Sequence, residues 1–340
     1  MKILYVDHPE PDFMATLTYL GLCQVLGPEN VIDWPYKDSY HGETYRGPIP
    51  YDPPHDQGVC APYEWMPAQP GTRWKDEEVF DRLGDFDLVV LASPRKYGMA
   101  ALDRLLAVGR PKRLVMTDGE DYTTVRWDCI ERFRPSVYFK LSSVPNAVEV
   151  YHGEKARMLG HVRVLPYPMC SALSDVAKRE KTVDVAFIGG GSWRIHRTEG
   201  APMGPPDRER LVERLRKEFT SLDTQARPYL QYIEALASAR IAVCVGGHGI
   251  EPLRTLEILS CPETLLARER IPVVSPWPFV EEKHCVGWNG WDFEELIAKL
   301  RYYLEHEDQR LQIARSGNDL LKAHYTCRAR AAYLLEEAFR

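Results

Sequence analysis

The sequence predicts an α/β chain made of two Rossmann-like, doubly wound domains that face a cleft and end in C-terminal helices. Three observations predict it. Short apolar runs of β-forming residues alternate with stretches of helical period along most of the chain. The rhythm breaks near residues 166–182 and then starts again, so two β-α arrays follow one another. At 340 residues the chain is also long enough for two cores of about 150 residues each. Open parallel sheets bind ligands beyond the carboxyl ends of their strands, so a cleft between the two domains is the expected ligand site.

The first array opens with KILYV (2–6), a strand ending at Asp7, and FMATLTYLGLCQVL (13–26), a helix stopped by Gly27-Pro28. Val31-Ile32 begins a second strand. From 34 to 74 the chain is crowded with Pro, Gly, Tyr, Trp and His without a sustained period, which predicts a long insertion. DFDLVVL (85–91) and RLVM (113–116) read as buried strands around a helix at 99–108, and 139–140 and 163–165 as further strands. The second array opens with VDVAFI (183–188), broken by Gly189-Gly190-Gly191. A charged helix at 207–219 carries Leu211, Leu215 and Phe219 on one face. A helix at 228–238 then leads into the strand RIAVCV (240–245), which Gly246-Gly247-His248-Gly249 ends. A helix from about Pro252, a strand at 271–274 and helices at 292–305, 307–323 and 328–339 complete the chain. The expected division is a first domain over 1–170 with the 34–74 insertion, a second over 171–327, and a final helix at 328–340 packing back on the first.

Charge and composition exclude several classes. With 43 Lys and Arg against 49 Asp and Glu, net −6, the surface lacks the general basicity of a phosphate-neutralising nucleic-acid binder, although local patches stay open. No run approaches the roughly 18 apolar residues that span a bilayer, and the N-terminus carries no secretory signal pattern. The eight cysteines are scattered without a CxxC pair, which argues against a zinc ribbon and fits free thiols in a cytoplasmic protein.

The densest chemistry lies in RIAVCVGGHGIEPLRTLEIL (240–259). Gly246, Gly247 and Gly249 let the backbone approach a phosphate, and a helix start offers free N–H groups to a diphosphate. Arg254 and Glu257, three apart with Thr255 between, share a helix face. The arginine suits phosphate, and the glutamate can accept both hydroxyls of a ribose. An ordinary surface ion pair over a tight turn fits the same spacing. His248 either hydrogen-bonds the phosphate or sugar or caps the helix. Asp118-Gly119-Glu120-Asp121 follows a strand. Its carboxylates suit a general base that takes the proton of a hydroxyl, a divalent-metal site, or a solvated turn capped by Asp118. Asp7-His8 holds a comparable place after the first strand. The aromatic residues of 34–74 offer faces for ring-bearing acceptors, or a self-packed loop.

Taken in order, the Gly-Gly-His-Gly turn, Arg254 and Glu257, Pro278-Phe279, Asp292 through Leu296, and Ile313, Ala314, Gly317, His324 and Arg328 resemble the nucleotide-binding half of GT-B glycosyltransferases. The resemblance covers about 183–335 and points to the CgeB-like group and its exostosin-like relatives. The chain departs from that pattern by inserting Cys261-Pro262-Glu263 and a charged Arg268-Glu269-Arg270 turn.

The resemblance implies transfer of a sugar from a nucleotide diphosphate sugar, such as a UDP-sugar, to an acceptor hydroxyl. It implies no resident cofactor and no required metal, because arginine stabilises the departing diphosphate. Gly189, Gly190, Gly191, Ser192 and Arg194 would then face the diphosphate, unless the triplet is only a flexible connection. Gly246, Gly247, Gly249, Arg254, Thr255 and Glu257 would bind the donor, and Asp118, Asp121 and His248 are the catalytic candidates. The acceptor (a glycan, a small molecule, a protein or modified DNA) and the oligomeric state stay open. A non-catalytic nucleotide-sugar-binding protein is the alternative. A dehydrogenase is disfavoured, since neither glycine turn reads GxGxxG.

Overall fold

The computed structural model describes residues 1–8, 12–42, 67–120, 124–142, 162–171, 178–188, 208–246, 251–271 and 273–340. It divides into two compact units, Met1–Cys170 with Thr326–Arg340, and Ser171–Tyr325. Among the described residues no helix is long and apolar enough to cross a membrane.

The first unit is built on a six-stranded parallel sheet, ordered β2-β1-β3-β4-β5-β6. Its strands are β1 (Ile3–Val6), β2 (Val31–Trp34), β3 (Leu88–Leu91), β4 (Leu114–Asp118), β5 (Val137–Lys140) and β6 (Val162–Val164). Parallel strands covered by helices on both faces need apolar residues at successive positions, and β1, β3, β4 and β5 are buried throughout. Alternation along each strand splits them between two cores. Ile3 and Tyr5 point into one with Leu88, Val90, Val115 and Phe139, while Leu4 and Val6 join Val89, Leu91, Met116 and Tyr138 in the other.

Helix Phe13–Leu26 starts at Asp12, whose side chain accepts from Ala15 N at 2.9 Å, and ends at Gly27, where φ is 86°. Helix Cys327–Phe339 packs against it. A Cβ at Gly21 would stand 2.1 Å from the Cys327 carbonyl oxygen, so only glycine allows this approach.

The second unit holds a five-stranded parallel sheet ordered β11-β10-β9-β7-β8. These strands are β7 (Val183–Ala186), β8 (Leu222–Asp223), β9 (Ala239–Cys244), β10 (Leu265–Glu269) and β11 (Val286–Trp288). Val185, Ile241, Val243, Leu265 and Trp288 form its core with Leu211 and Leu215 of helix Arg208–Glu218 and Leu296 and Leu300 of helix Phe293–Glu305. Helix Glu307–Leu320 carries Gly317, where a Cβ would meet the His284 carbonyl oxygen at 2.4 Å.

The periodicity misplaces one strand. Among the described residues of the apolar run at 271–274 no strand forms, and β10 lies earlier, where Arg268 and Glu269 read as a charged turn. Both side chains are buried because each has a partner: Arg268 pairs with Glu251 at 3.3 Å, and Glu269 accepts from Gly246 N at 3.2 Å. Internal pairing let charged residues occupy a buried strand, which pattern reading assigns to the surface.

Candidate functional site

The site of the second unit forms around the carboxyl end of β9. Gly246 is held from both sides: its N–H donates to Glu269 Oε2, and its carbonyl accepts from Arg208 Nη2 at 2.7 Å. Gly247, His248 and Gly249 lie outside the described residues, as do Gly189, Gly190, Gly191, Ser192 and Arg194. Beyond the turn, helix Arg254–Leu259 has six residues and no side-chain N-cap. So short a helix contributes little dipole, and the cationic character of the site resides in its arginine side chains.

Arg254 and Glu257 share a face, but they meet through a third residue. Tyr232, from helix Tyr229–Ser238, accepts from Arg254 Nε at 3.2 Å and donates to Glu257 Oε2 at 2.7 Å. Glu257 is only 6% exposed, which sets this arrangement apart from a surface ion pair. Thr255 turns inward, its Oγ1 3.7 Å from Cys244 Sγ, and so ties the helix to β9. Burial raises the Glu257 carboxyl above the ordinary carboxylate range, against the opposing pull of the Tyr232 hydrogen bond and the Arg254 charge. Burial also lowers Arg208, and the neighbouring Arg254 charge adds to the effect. Two guanidinium groups that disfavour each other beside a glycine turn make a site that an anion relieves.

Arg208, Tyr232 and Glu269 were not among the sequence candidates. Arg208 had a legible signal. It stands three residues before Leu211 and seven before Leu215, so it continues the buried stripe of its helix. Tyr232 and Glu269 had none, since a tyrosine in a helix and a glutamate in a charged triplet are ordinary.

In the first unit Asp118 ends β4 and is fully buried. Lys140 Nζ lies 3.1 Å from its Oδ1, Glu120 N donates to the same oxygen at 3.0 Å, and the Tyr138 hydroxyl donates to Oδ2. Three donors already converge on this carboxylate, and taking a substrate proton would disrupt a buried ion pair. That geometry describes a structural hub holding β4 to β5 and is poorly suited to a general base. Asp121 lies outside the described residues.

A cavity of about 300 Å³ opens elsewhere in this unit, lined by Asp7, His8, Tyr36, Lys37 and Tyr97 among others. Lys37 Nζ pairs with Asp7 Oδ2 at 2.8 Å, and His8 Nε2 lies 3.7 Å from Asp7 Oδ1 and 3.6 Å from Asp12 Oδ2. Burial opposes ionisation of Asp12, but the nearby His8 and the charge of Arg95 hold its carboxyl below the usual range.

Two parallel α/β units with terminal helices make the GT-B architecture. Residues 176–336 match the family described as Glycosyl transferase-like. Solved structures share the fold over nearly the full chain. A glycosyltransferase from Rickettsia africae ESF-5 aligns with a TM-score of 0.59 and 11% identity, over 98% of this chain and 96% of that one. HepE of Anabaena, in complex with UDP-glucose, aligns with a TM-score of 0.59 and 9% identity, over 99% of each chain. A UDP-forming α,α-trehalose-phosphate synthase from Burkholderia xenovorans aligns with a TM-score of 0.53 and 10% identity, over 95% of this chain and 86% of that one. No curated protein matches the sequence.

Proposed function

We propose that the chain is a glycosyltransferase that moves a sugar from a nucleotide diphosphate sugar, in first place a UDP-sugar, to an acceptor hydroxyl. The observation that carries the reading is the Arg254–Tyr232–Glu257 cluster beside Gly246, with Arg208 at the same turn. In this reading Arg254 and Arg208 neutralise the diphosphate as it departs, and Gly246 with Gly247 and Gly249 lets it approach the backbone. Glu257 accepts the ribose hydroxyls. A carboxylate has about four acceptor positions, so the tyrosine bond leaves capacity for them. Thr255 holds the helix in place. The match over residues 176–336 and the UDP-glucose bound to HepE support this chemistry. Within the class, the spacing of Arg254, Glu257 and the terminal Gly317, His324 and Arg328 favours the CgeB-like group.

The first unit supplies the acceptor. With Asp118 engaged by Lys140 and Tyr138, the proton-accepting role falls to Asp121 or to the Asp7-His8 pair if the reaction inverts. Transfer is proposed to need no metal, since arginines take the place of a cation.

The test is nucleotide release from UDP-, GDP- and dTDP-sugars, with and without EDTA. Release of one nucleotide in EDTA is the expected result. Release abolished by EDTA overturns the metal-free scheme, and binding without release in the presence of varied acceptors supports a non-catalytic nucleotide-sugar binder instead.

A further inference from the structure

The first unit is completed by a segment that the chain reaches only after building the second. The chain leaves the first unit at Cys170, runs through Ser171–Tyr325 and returns at Thr326 to add the helix Cys327–Phe339. A cysteine stands at each passage. Met169 and Thr326 pair as a parallel bridge, and Cys327 N donates to the Met169 carbonyl at 3.1 Å, so Cys170 and Cys327 stand side by side on the two passing backbones. Parallel backbones lie about 4.8 Å apart, within the roughly 4.4–6.8 Å between Cα atoms that a disulfide spans.

The side chains meet as well. The two thiols are hydrogen-bonded to each other, and with Leu17 and Leu20 of helix Phe13–Leu26 they form a small buried cluster. Other thiols face different groups: Cys129 Sγ lies 3.4 Å from the Met99 sulfur, and Cys244 Sγ 3.7 Å from Thr255 Oγ1. Burial, reinforced by Cys170, pushes the Cys327 thiol up, so it stays protonated and unreactive while its helix is seated. Cys327 is the first residue of that helix, and lifting of the first turn uncovers both sulfurs. In the reduced chain the turn is held without a covalent bond, by packing on helix Phe13–Leu26 and by contacts such as Arg328 Nη1 to the Gln24 carbonyl at 3.2 Å.

We propose that Cys170 and Cys327 form a redox latch, in which a peroxide oxidises the pair to a disulfide that fastens the terminal helix to the body of the first unit. One thiol sulfur attacks a peroxide oxygen, giving a sulfenic acid and one water. The second sulfur then displaces the sulfenic hydroxyl as another water and closes the S–S bond. Two thiols are oxidised, and the peroxide is reduced to two waters. A dithiol reopens the latch by exchange. The bond also closes residues 171–326 into a loop, and cross-links that close long loops restrict the unfolded chain most.

The test exposes the full reduced chain to hydrogen peroxide, alkylates the remaining thiols after unfolding, and maps the tryptic peptides without reductant. The expected product is the peptide holding Cys170 joined to the one holding Cys327, two hydrogens lighter than their sum and separated by dithiothreitol. Thermal melting of the oxidised chain should shift upward by several degrees and return on reduction. Cys170→Ala and Cys327→Ala should each lose the joined peptide and the shift. Peroxide that leaves both cysteines alkylatable, converts them singly to sulfinic acid, or joins either to a different cysteine overturns the latch. So does an unshifted or lowered melting temperature in a chain that carries the disulfide. The wild-type experiment decides the matter even if neither variant folds.

Discussion

Tyr232 donates to Glu257 Oε2 across 2.7 Å while its own oxygen accepts from Arg254 Nε at 3.2 Å. One hydroxyl thus orders both the cation and the carboxylate of the proposed donor site. Replacing it by Phe leaves a buried carboxylate short of a donor, which costs about 1.5–3 kcal/mol when the acceptor is charged. Tyr232→Phe should lose about that much in urea unfolding and weaken UDP binding about tenfold. A variant with wild-type stability and affinity would remove Tyr232 from the site.

Glu257 gives the site a pH dependence. Burial raises its carboxyl above the ordinary range, so it takes up a proton at a pH where an exposed glutamate stays ionised. Its protonated form offers fewer acceptor positions for ribose hydroxyls. UDP affinity should therefore fall as the solution is acidified while still above pH 4.5, the ordinary glutamate value. Glu257→Gln should bind more weakly and lose that acid limb, and an unchanged limb in the variant would assign the titration to another group.

Asp118 and Lys140 make a structural prediction. Both are buried, 3.1 Å apart, on neighbouring strands. Removing one partner of such a pair leaves an uncompensated charge, at about 3–5 kcal/mol. Lys140→Met should destabilise the first unit by that order in denaturant melts, and Asp118→Asn should cost stability too. Near-neutral stability in both, combined with loss of transfer activity, would return Asp118 to a catalytic role.

Lys181 predicts a rise in stability on the alkaline side. Its ammonium donates to the Ala237 carbonyl at 2.6 Å and to Thr264 Oγ1 at 2.8 Å, and burial lowers its pKa from 10.5 to about 8. Between those values the unfolded chain holds the proton more tightly than the folded one. Stability therefore increases with pH across about 8 to 10.5, and the penalty for burying the cation is fully present below 8. Lys181→Met should lack this rise when thermal melts of the two proteins are compared, whereas parallel pH profiles would contradict the assignment.

The parts of the fold legible in the sequence were those whose physics is local. β1, β3 and β4 announce themselves because both faces are buried, and helix Phe13–Leu26 because Gly27-Pro28 ends an apolar run of helical spacing. β10 was misread because Arg268 and Glu269 are buried only by virtue of Glu251 and Gly246, partners 17 and 23 residues away. The same limit applies to the site. Arg254 and Glu257 are close in sequence and could be named from spacing. Tyr232, 22 and 25 residues from them, enters only through the packing of its helix.

The central claim, that the end of β9 binds a nucleotide diphosphate, is tested most directly by titrating the full chain with UDP by calorimetry and repeating the titration with Arg254→Ala. Loss of one charge-assisted contact to phosphate corresponds to about 1.5–3 kcal/mol, or roughly ten- to a hundredfold in affinity. The account predicts saturable UDP binding in the wild type and a loss of that size in the variant. UDP bound equally well by both proteins would contradict it.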